Sequence, residues 1–275
     1  MNFLKLFFLM IPVCFSAQIS YEGKIGDYSV EMVLNLNDES ADGIYVYSKY
    51  NNPISIDGNY VKKNLTLFES EGDRKTAKFV FEDFDENKNE ISGNWINLKN
   101  QNTSLEVYLK KKDNQNEILQ AESSRQFYFK TLKETNENPV LIFEKKSGNL
   151  VQKMELGECM LGSTGDISIG DFNFDGYDDF SSCLQTYAGP NTSKSYFLFD
   201  PIKKRFFESD FTGVSLEFDA KAKRIKEINQ CCAGASVVEN IYKVQNNQMK
   251  LIEEHCYKYD EKRKKLIEKK PKDCY

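Results

Sequence analysis

Hydrophobic and polar residues alternate along most of the chain. In YSVEMVLNL, every second residue from Tyr28 to Leu36 is apolar. The segments GIYVY, NLTLF, AKFVF, ISGNWINL and SLEVYL repeat this period of two, and Gly, Asn and Asp separate them. Alternation places apolar side chains on one face of an extended strand. The pattern therefore predicts a meander of short antiparallel strands over residues 18–112.

The C-terminal half continues as hairpins. SYFLFDPIKKRFFES predicts two strands joined at Asp200–Pro201, and ENIYKVQNNQMKLIEE predicts two joined at Asn246–Asn247. The polar segment 113–126 predicts a linker or short helix before a second β region over residues 127–275. No helical stripe of useful length is present. We expect an all-β, β-propeller-like fold, with two packed β-barrel or sandwich subdomains as the alternative.

The N-terminal segment 1–17, MNFLKLFFLMIPVCFSA, has the pattern of a secretory signal peptide. Lys5 precedes an apolar core that is too short to span a bilayer comfortably, and Ser16–Ala17 supplies a small-residue cleavage site. Val13 before Cys14 argues against a lipoprotein, whose modified Cys usually follows a small residue. We expect an exported protein, periplasmic or secreted, that does not span the membrane.

Charge and cysteine content narrow the function classes. A net charge of -5 argues against nucleic acid as a partner, and so does the spread of Lys and Arg along the chain outside one mixed-sign run near the C-terminus. Without Cys14, six cysteines remain, all in the C-terminal half, and an even number in an oxidising compartment favours disulfides. Cys256 and Cys274 flank the last hairpin and are the preferred pair. Cys159 and Cys183 flank an acidic loop and are the next, although spacing alone leaves other pairings open.

That acidic loop is GDFNFDGYDDF, residues 170–180. Ca²⁺ takes six to eight oxygen ligands, and alternate residues of a tight loop can share one ion around the sharp turn that Gly176 permits. An EF-hand requires Glu at its twelfth position, but Ser182 stands there and the flanks are strand-like. The predicted Ca²⁺ ligands are Asp171, Asn173, Asp175, the Tyr177 carbonyl and Asp179. The alternative is an Asx-rich surface turn, although unneutralised carboxylates this close repel one another.

Around this loop the sequence resembles a family of exported bacterial proteins. NFDGYDD, the strand SYFLFD ending in a Phe-Asp turn and the final YKVQNNQMKLIEE hairpin carry the resemblance, which covers residues 150–255. The family includes an immunity protein of a xanthomonad type IV secretion system that inhibits a lysozyme-like effector in the periplasm. The resemblance implies a calcium-bearing β-propeller and inhibition of a peptidoglycan hydrolase.

No catalytic group stands out. The sole histidine, His255, lies beside Cys256 in a predicted hairpin without an evident nucleophile, and paired carboxylates for glycoside hydrolysis remain an open alternative. Trp95 on an alternating strand indicates a core or rim residue more than a sugar platform. We therefore predict a non-enzymatic binding protein that inhibits a peptidoglycan hydrolase. The alternative is a module that binds an envelope glycan or another envelope protein.

The partner-binding prediction concerns the segment QTYAGPNTSKS, residues 185–195. Gly189-Pro190 stiffens a turn there, and few apolar residues hold the segment in a core. The candidate contact residues are Tyr187, Asn191 and Tyr196. The alternative is a solvated hairpin loop with Tyr187 folded back onto the sheet.

Overall fold

The computed structural model describes residues 16–100, 103–133, 138–156, 162–187 and 189–274. Within these ranges the chain forms 21 β-strands and two short 3₁₀ turns, with no α-helix. Two compact units divide between Gln115 and Asn116, and Ser48–Pro53 groups with the second unit.

The first unit is a closed antiparallel barrel in which each strand pairs with the next along the chain. β1 closes the barrel by pairing with β8, from Tyr21 opposite Lys111 to Ile25 opposite Val107. The strands are β1 (Ser16–Ile25), β2 (Tyr28–Asn37), β3 (Ser40–Tyr47), β4 (Ile54–Val61), β5 (Asn64–Glu71), β6 (Arg74–Phe81), β7 (Glu90–Asn97) and β8 (Ser104–Lys111).

Alternation along these strands builds the barrel core. Leu65 and Leu67 of β5 and Phe79 and Phe81 of β6 are fully buried at every second position. Each such side chain contributes roughly 1.5–3 kcal/mol by leaving water. Gly93 of β7 is required by close packing, since a Cβ there would stand 2.4 Å from the Val80 carbonyl oxygen.

The second unit contains three antiparallel sheets with strand orders β12-β11-β10-β9, β13-β14-β15-β16 and β17-β18-β19-β20-β21. Aromatic rings fill its core, and Phe180 of β14 stacks on Phe197 of β15 with ring centroids 4.5 Å apart. The strands are β9 (Glu117–Leu119), β10 (Phe127–Leu132), β11 (Pro139–Glu144), β12 (Leu150–Glu155), β13 (Ile167–Gly170), β14 (Asp179–Thr186), β15 (Thr192–Asp200), β16 (Arg205–Glu208), β17 (Leu216–Asp219), β18 (Arg224–Cys231), β19 (Ser236–Gln245), β20 (Gln248–Asp260) and β21 (Lys265–Lys269).

The predicted all-β class is confirmed, and the propeller-like arrangement is not. A closed eight-stranded barrel in the first unit and smaller sheets in the second fit the alternative of β-barrel or sandwich subdomains. The division between the units falls inside the predicted linker 113–126, but this segment contains a strand, β9, and no helix. Residues 1–15 of the predicted signal peptide lie outside the described residues. No helix in the described ranges has the length and apolarity needed to cross a bilayer.

The preferred disulfide is confirmed. Cys256 and Cys274 are bonded, with their Cα atoms 5.8 Å apart. Cys183 is also disulfide-bonded, whereas its predicted partner Cys159 lies outside the described residues.

Candidate metal site

The acidic loop connects β13 to β14, which pair antiparallel from Ile167 opposite Ser182 to Gly170 opposite Asp179. Gly176 has a φ of +90°, the left-handed region that glycine adopts without steric cost. Phe174 also has a positive φ, of 62°. These two residues turn the chain sharply on either side of Asp175.

Three of the predicted ligands gather inside this turn. Asp171 accepts hydrogen bonds from the backbone N–H groups of Asp175 through Oδ1 and of Gly176 through Oδ2, both at 2.9 Å. Asn173 Oδ1 accepts the Asp175 N–H at 3.1 Å, and Asn173 Nδ2 donates to Asp175 Oδ2 at 2.9 Å. Asp175 Oδ1 accepts the Tyr177 N–H at 2.9 Å. The side chains of Asp171, Asn173 and Asp175 are therefore mutually ordered around the turn.

Asp179 is completely buried at the start of β14. Its Oδ2 accepts the Phe172 N–H at 2.9 Å, and its Oδ1 accepts the Phe199 N–H at 2.8 Å. Burial raises the pKa of Asp179 to about 7, and the charges of Asp175 and Asp171 add to the increase. The two backbone hydrogen bonds lower the pKa but do not outweigh the burial. The site thus holds a carboxyl group whose ionisation is opposed by its surroundings.

Groups from distant parts of the second unit brace the loop. The Arg125 guanidinium donates to Asp178 Oδ2 at 3.1 Å and to the Gly176 carbonyl at 2.6 Å. Lys223 Nζ, in the β17–β18 turn, donates to the Phe174 carbonyl at 3.1 Å. Arg125 precedes β10 in the first of the three sheets, and Lys223 belongs to the third. The loop is therefore tied to both neighbouring sheets.

One further contact completes this bracing. Asn173 Nδ2 donates to Asn247 Oδ1 at 3.1 Å, which ties the loop to the β19–β20 turn. Burial raises the pKa of Asp178, but the hydrogen bonds and charge of Arg125 outweigh it and hold the pKa below its usual value. Sequence reasoning did not identify Arg125, Lys223 or Asn247, because no local pattern links them to the loop.

The donor set suits a hard cation, since Ca²⁺ accepts carboxylate, amide and carbonyl oxygens. The described residues nonetheless contain no group of three His, Cys, Asp or Glu side chains gathered as metal ligands. Both oxygens of Asp179 are engaged by backbone N–H groups. The turn therefore brings two carboxylates and one amide together. The same hydrogen bonds fit the Asx-rich turn, so calcium binding stays a prediction.

The partner-binding candidates occupy different environments. Tyr187 is 42% exposed after β14, and its N–H donates to the Asn191 carbonyl at 3.1 Å. The Asn191 side chain is held by the β18 backbone, donating to the Gln230 carbonyl at 2.8 Å. Tyr196 is only 4% exposed and packs edge-on against Phe172. A surface role for Tyr196 is therefore wrong, because the neighbouring sheet covers its face of β15.

A small cavity lies beside the loop. It is lined by the exposed Tyr177 ring, Arg125, Asp178 and the apolar rings of Phe127 and Phe199. The Tyr177 and Phe199 ring centroids are 5.9 Å apart. An aromatic ring beside a guanidinium can contact both apolar and polar groups of a ligand.

His255 lies on β20, away from the acidic loop in sequence and in a different sheet. Its Nδ1 is 2.9 Å from Glu268 Oε1, and its Nε2 is 3.7 Å from Glu253 Oε2. The hydrogen bond with Glu268 raises the pKa of His255. These partners are acceptors that orient or charge the ring, and neither is a nucleophile that a catalytic base would activate.

Comparison with known proteins finds similarity in solved structures only. No family model matches the chain, and no curated protein matches it. A Xanthomonas protein related to a type IV secretion system is 13% identical, with a TM-score of 0.29 over 92% of this chain and 99% of that one. A candidate 6-phosphogluconolactonase of Bacteroides fragilis is 10% identical, with a TM-score of 0.34 over 92% of this chain and 94% of that one. Neither similarity assigns a family or an activity.

Proposed function

We propose that the protein is an exported, calcium-stabilised binding protein without enzymatic activity, in which the acidic loop binds one Ca²⁺. The ligands are Asp171, Asn173, Asp175, the Tyr177 carbonyl and Asp179. The observation that carries this proposal is the tight turn in which the side chains of Asp171, Asn173 and Asp175 are held together by hydrogen bonds, next to the buried Asp179. None of these three carboxylates forms an ion pair within the described part of the chain. A bound divalent cation would supply the missing countercharge.

Calcium in this position acts first on stability. Arg125, Lys223 and Asn247 connect the loop to the sheets on either side of it. An ion that orders the loop therefore orders the contacts of all three sheets with it. The resulting scaffold is rigid, and a rigid binding surface loses less conformational entropy when a partner binds.

The proposed partner is a peptidoglycan hydrolase of the lysozyme-like class. Support comes from the sequence resemblance of the NFDGYDD loop and its following hairpins to periplasmic inhibitors of such enzymes. The cavity formed by Tyr177, Arg125 and Asp178 is a contact surface directly beside the loop. Exposed tyrosine buries much area at a small entropic cost, so Tyr177 joins Tyr187 as a candidate anchor.

A second candidate function is binding of an envelope glycan without inhibition. The specific observation that favours it is the exposed Tyr177 ring next to the Arg125–Asp178 pair. Sugars stack on aromatic rings and hydrogen-bond to charged side chains. Retention on purified peptidoglycan, with no effect on hydrolase activity, would select this function. Inhibition of a lysozyme-like hydrolase by the purified protein would select the first.

Titration calorimetry with Ca²⁺ on metal-stripped protein tests the calcium site. We expect one binding event in the natural sequence and its loss in Asp175→Asn, which removes a charge with little change of shape. Asp210→Asn is the matched control, because Asp210 is an exposed residue of the same unit outside the loop. Absence of calcium-dependent heat in the natural sequence would reject the site. Equal binding by Asp175→Asn would reject the ligand assignment.

A further inference from the structure

Two adjacent cysteines occupy the turn between β18 and β19. Cys231 ends β18, and Cys232 begins the 3₁₀ turn Cys232–Gly234. Both thiols are free and exposed. The other described cysteines differ from them, because Cys183, Cys256 and Cys274 are all disulfide-bonded.

The backbone at these two residues departs from the geometry of a regular strand. Neighbouring side chains on a regular strand point to opposite faces. Cys231 is extended, with φ −123° and ψ 162°, but Cys232 has a φ of 57° and Ala233 a φ of 55°. Two consecutive non-glycine residues in the left-handed region give the chain a sharp turn at this point. The neighbouring Cys232 side chain raises the pKa of Cys231.

Solvent and reagents reach this pair through a surface groove. The groove is lined on one side by Gly189–Asn191 and on the other by residues 229–234. Asn191 links the two sides, since its Nδ2 donates to the Gln230 carbonyl at 2.8 Å and its Oδ1 accepts the Gln230 N–H at 3.1 Å. The thiols therefore lie in an accessible site whose far wall belongs to the loop that contains Tyr187.

We propose that Cys231 and Cys232 form a reversible thiol–disulfide exchange site that closes to a disulfide between the two adjacent residues. The disulfides elsewhere in the chain are typical of an oxidising compartment. In that compartment, two exposed thiols on adjacent residues are the groups that a reagent disulfide reaches first. The buried Cys256, by contrast, is protected from exchange.

The exchange needs a small disulfide such as oxidised glutathione as the oxidant. One thiol of the pair loses its proton and attacks a sulfur of the reagent, forming a mixed disulfide and releasing one reagent thiol. The second thiol loses its proton and attacks the protein sulfur of that mixed disulfide, releasing the other reagent thiol. The pair loses two electrons and two protons, and the reagent disulfide is reduced to two thiols.

Redox equilibration with mass spectrometry tests the proposal. The protein is equilibrated in glutathione buffers from reducing to oxidising, trapped with N-ethylmaleimide and digested. We expect the peptide with Cys231 and Cys232 to carry two labels at the reducing end. At the oxidising end it should carry none and be lighter than the dithiol peptide by two hydrogens. The Cys231–Cys232 disulfide should be reduced at a lower dithiothreitol concentration than the Cys256–Cys274 disulfide.

Cys232→Ser is the control variant. It keeps one thiol, so it should carry glutathione at Cys231 in oxidising buffer and never form the internal bond. Circular dichroism checks that its fold is unchanged. Two labels on the natural sequence at every buffer ratio would overturn the proposal. A peptide bearing glutathione, or cross-linked to a second chain, in place of the internal bond would also overturn it.

Discussion

The buried carboxyl of Asp179 makes the stability of the second unit depend on pH in a predictable direction. Its pKa is raised from 3.8 to about 7, because burial opposes the charged form. The folded state therefore binds this proton more tightly than the unfolded state. The stabilisation is fully present below 3.8, the unfolded value, and is lost as pH rises through about 7. Without calcium, acidification from pH 8 to pH 5 should stabilise the unit.

The size of the effect follows from the shift. About three pKa units correspond to about 4 kcal/mol over the whole titration. Between pH 8 and pH 5, the difference in proton binding gives a gain of about 2.5 kcal/mol. The raised pKa of His255 acts in the same direction, so the contribution of Asp179 must be isolated by substitution.

The substitution Asp179→Asn isolates the contribution of Asp179 to the pH dependence of stability. An asparagine side chain has a single acceptor oxygen, so it can accept the N–H of Phe172 or the N–H of Phe199 but not both. Its amide nitrogen then faces the other N–H group, which is left without an acceptor. The variant should therefore lose about 1–3 kcal/mol from an unsatisfied buried donor. As pH falls, its free energy of unfolding should no longer gain the contribution that comes from protonation of Asp179. The slope against pH, and not the absolute stability, is the informative quantity.

Urea unfolding in the presence of a chelator measures this slope. Trp95 is the only tryptophan and lies in the first unit, so its fluorescence follows the barrel. Far-ultraviolet circular dichroism also follows the unfolding of the second unit. We expect the pH slope in the natural sequence and a flatter one in Asp179→Asn. With calcium added, acidification should destabilise the unit, because protons compete with the ion. A variant that keeps the full slope in chelator would refute the assignment.

Three further outcomes are expected. Chelation should lower the melting temperature of the second unit, because an ion at a hundred times its Kd increases the free energy of unfolding by about 2.7 kcal/mol. Identical melting curves of the natural protein and Asp175→Asn in calcium would contradict this. Replacing both Cys256 and Cys274 by Ala should reduce unfolding free energy by about 3 kcal/mol, the entropy of a loop with sequence separation 18; urea melts that coincide would count against it. Tyr177→Ala should weaken binding to the hydrolase by about 2 kcal/mol with an unchanged melt, and full binding would move the contact surface elsewhere.

Local features of the protein were predictable from the sequence. The apolar alternation from Tyr28 to Leu36 matches strand β2, because a strand alternates its side chains whatever its neighbours are. The Asn246–Asn247 pair forms the turn between β19 and β20 for a similarly local reason, since Asn tolerates positive φ. The Cys256–Cys274 bond was predictable because a short hairpin joins the two residues and brings its own ends together.

Nonlocal features were decided by the tertiary structure. Alternation indicates which face of a strand is apolar but not which strand will pair with it, so the closure of β1 on β8 required the folded barrel. Tyr196 was expected at the surface and is buried, because a neighbouring aromatic cluster covers it.

The candidate site likewise has features that the local sequence determines and features that only the tertiary structure determines. Residues 171–177 form their own hydrogen-bonded turn, which the spacing of Asp, Asn and Gly determines by itself. The raised pKa of Asp179 and the approach of Arg125 and Lys223 depend on groups that only the packed sheets bring together. Desolvation and charge interactions act through space, so they are set once the chain has folded and are absent from the order of its residues.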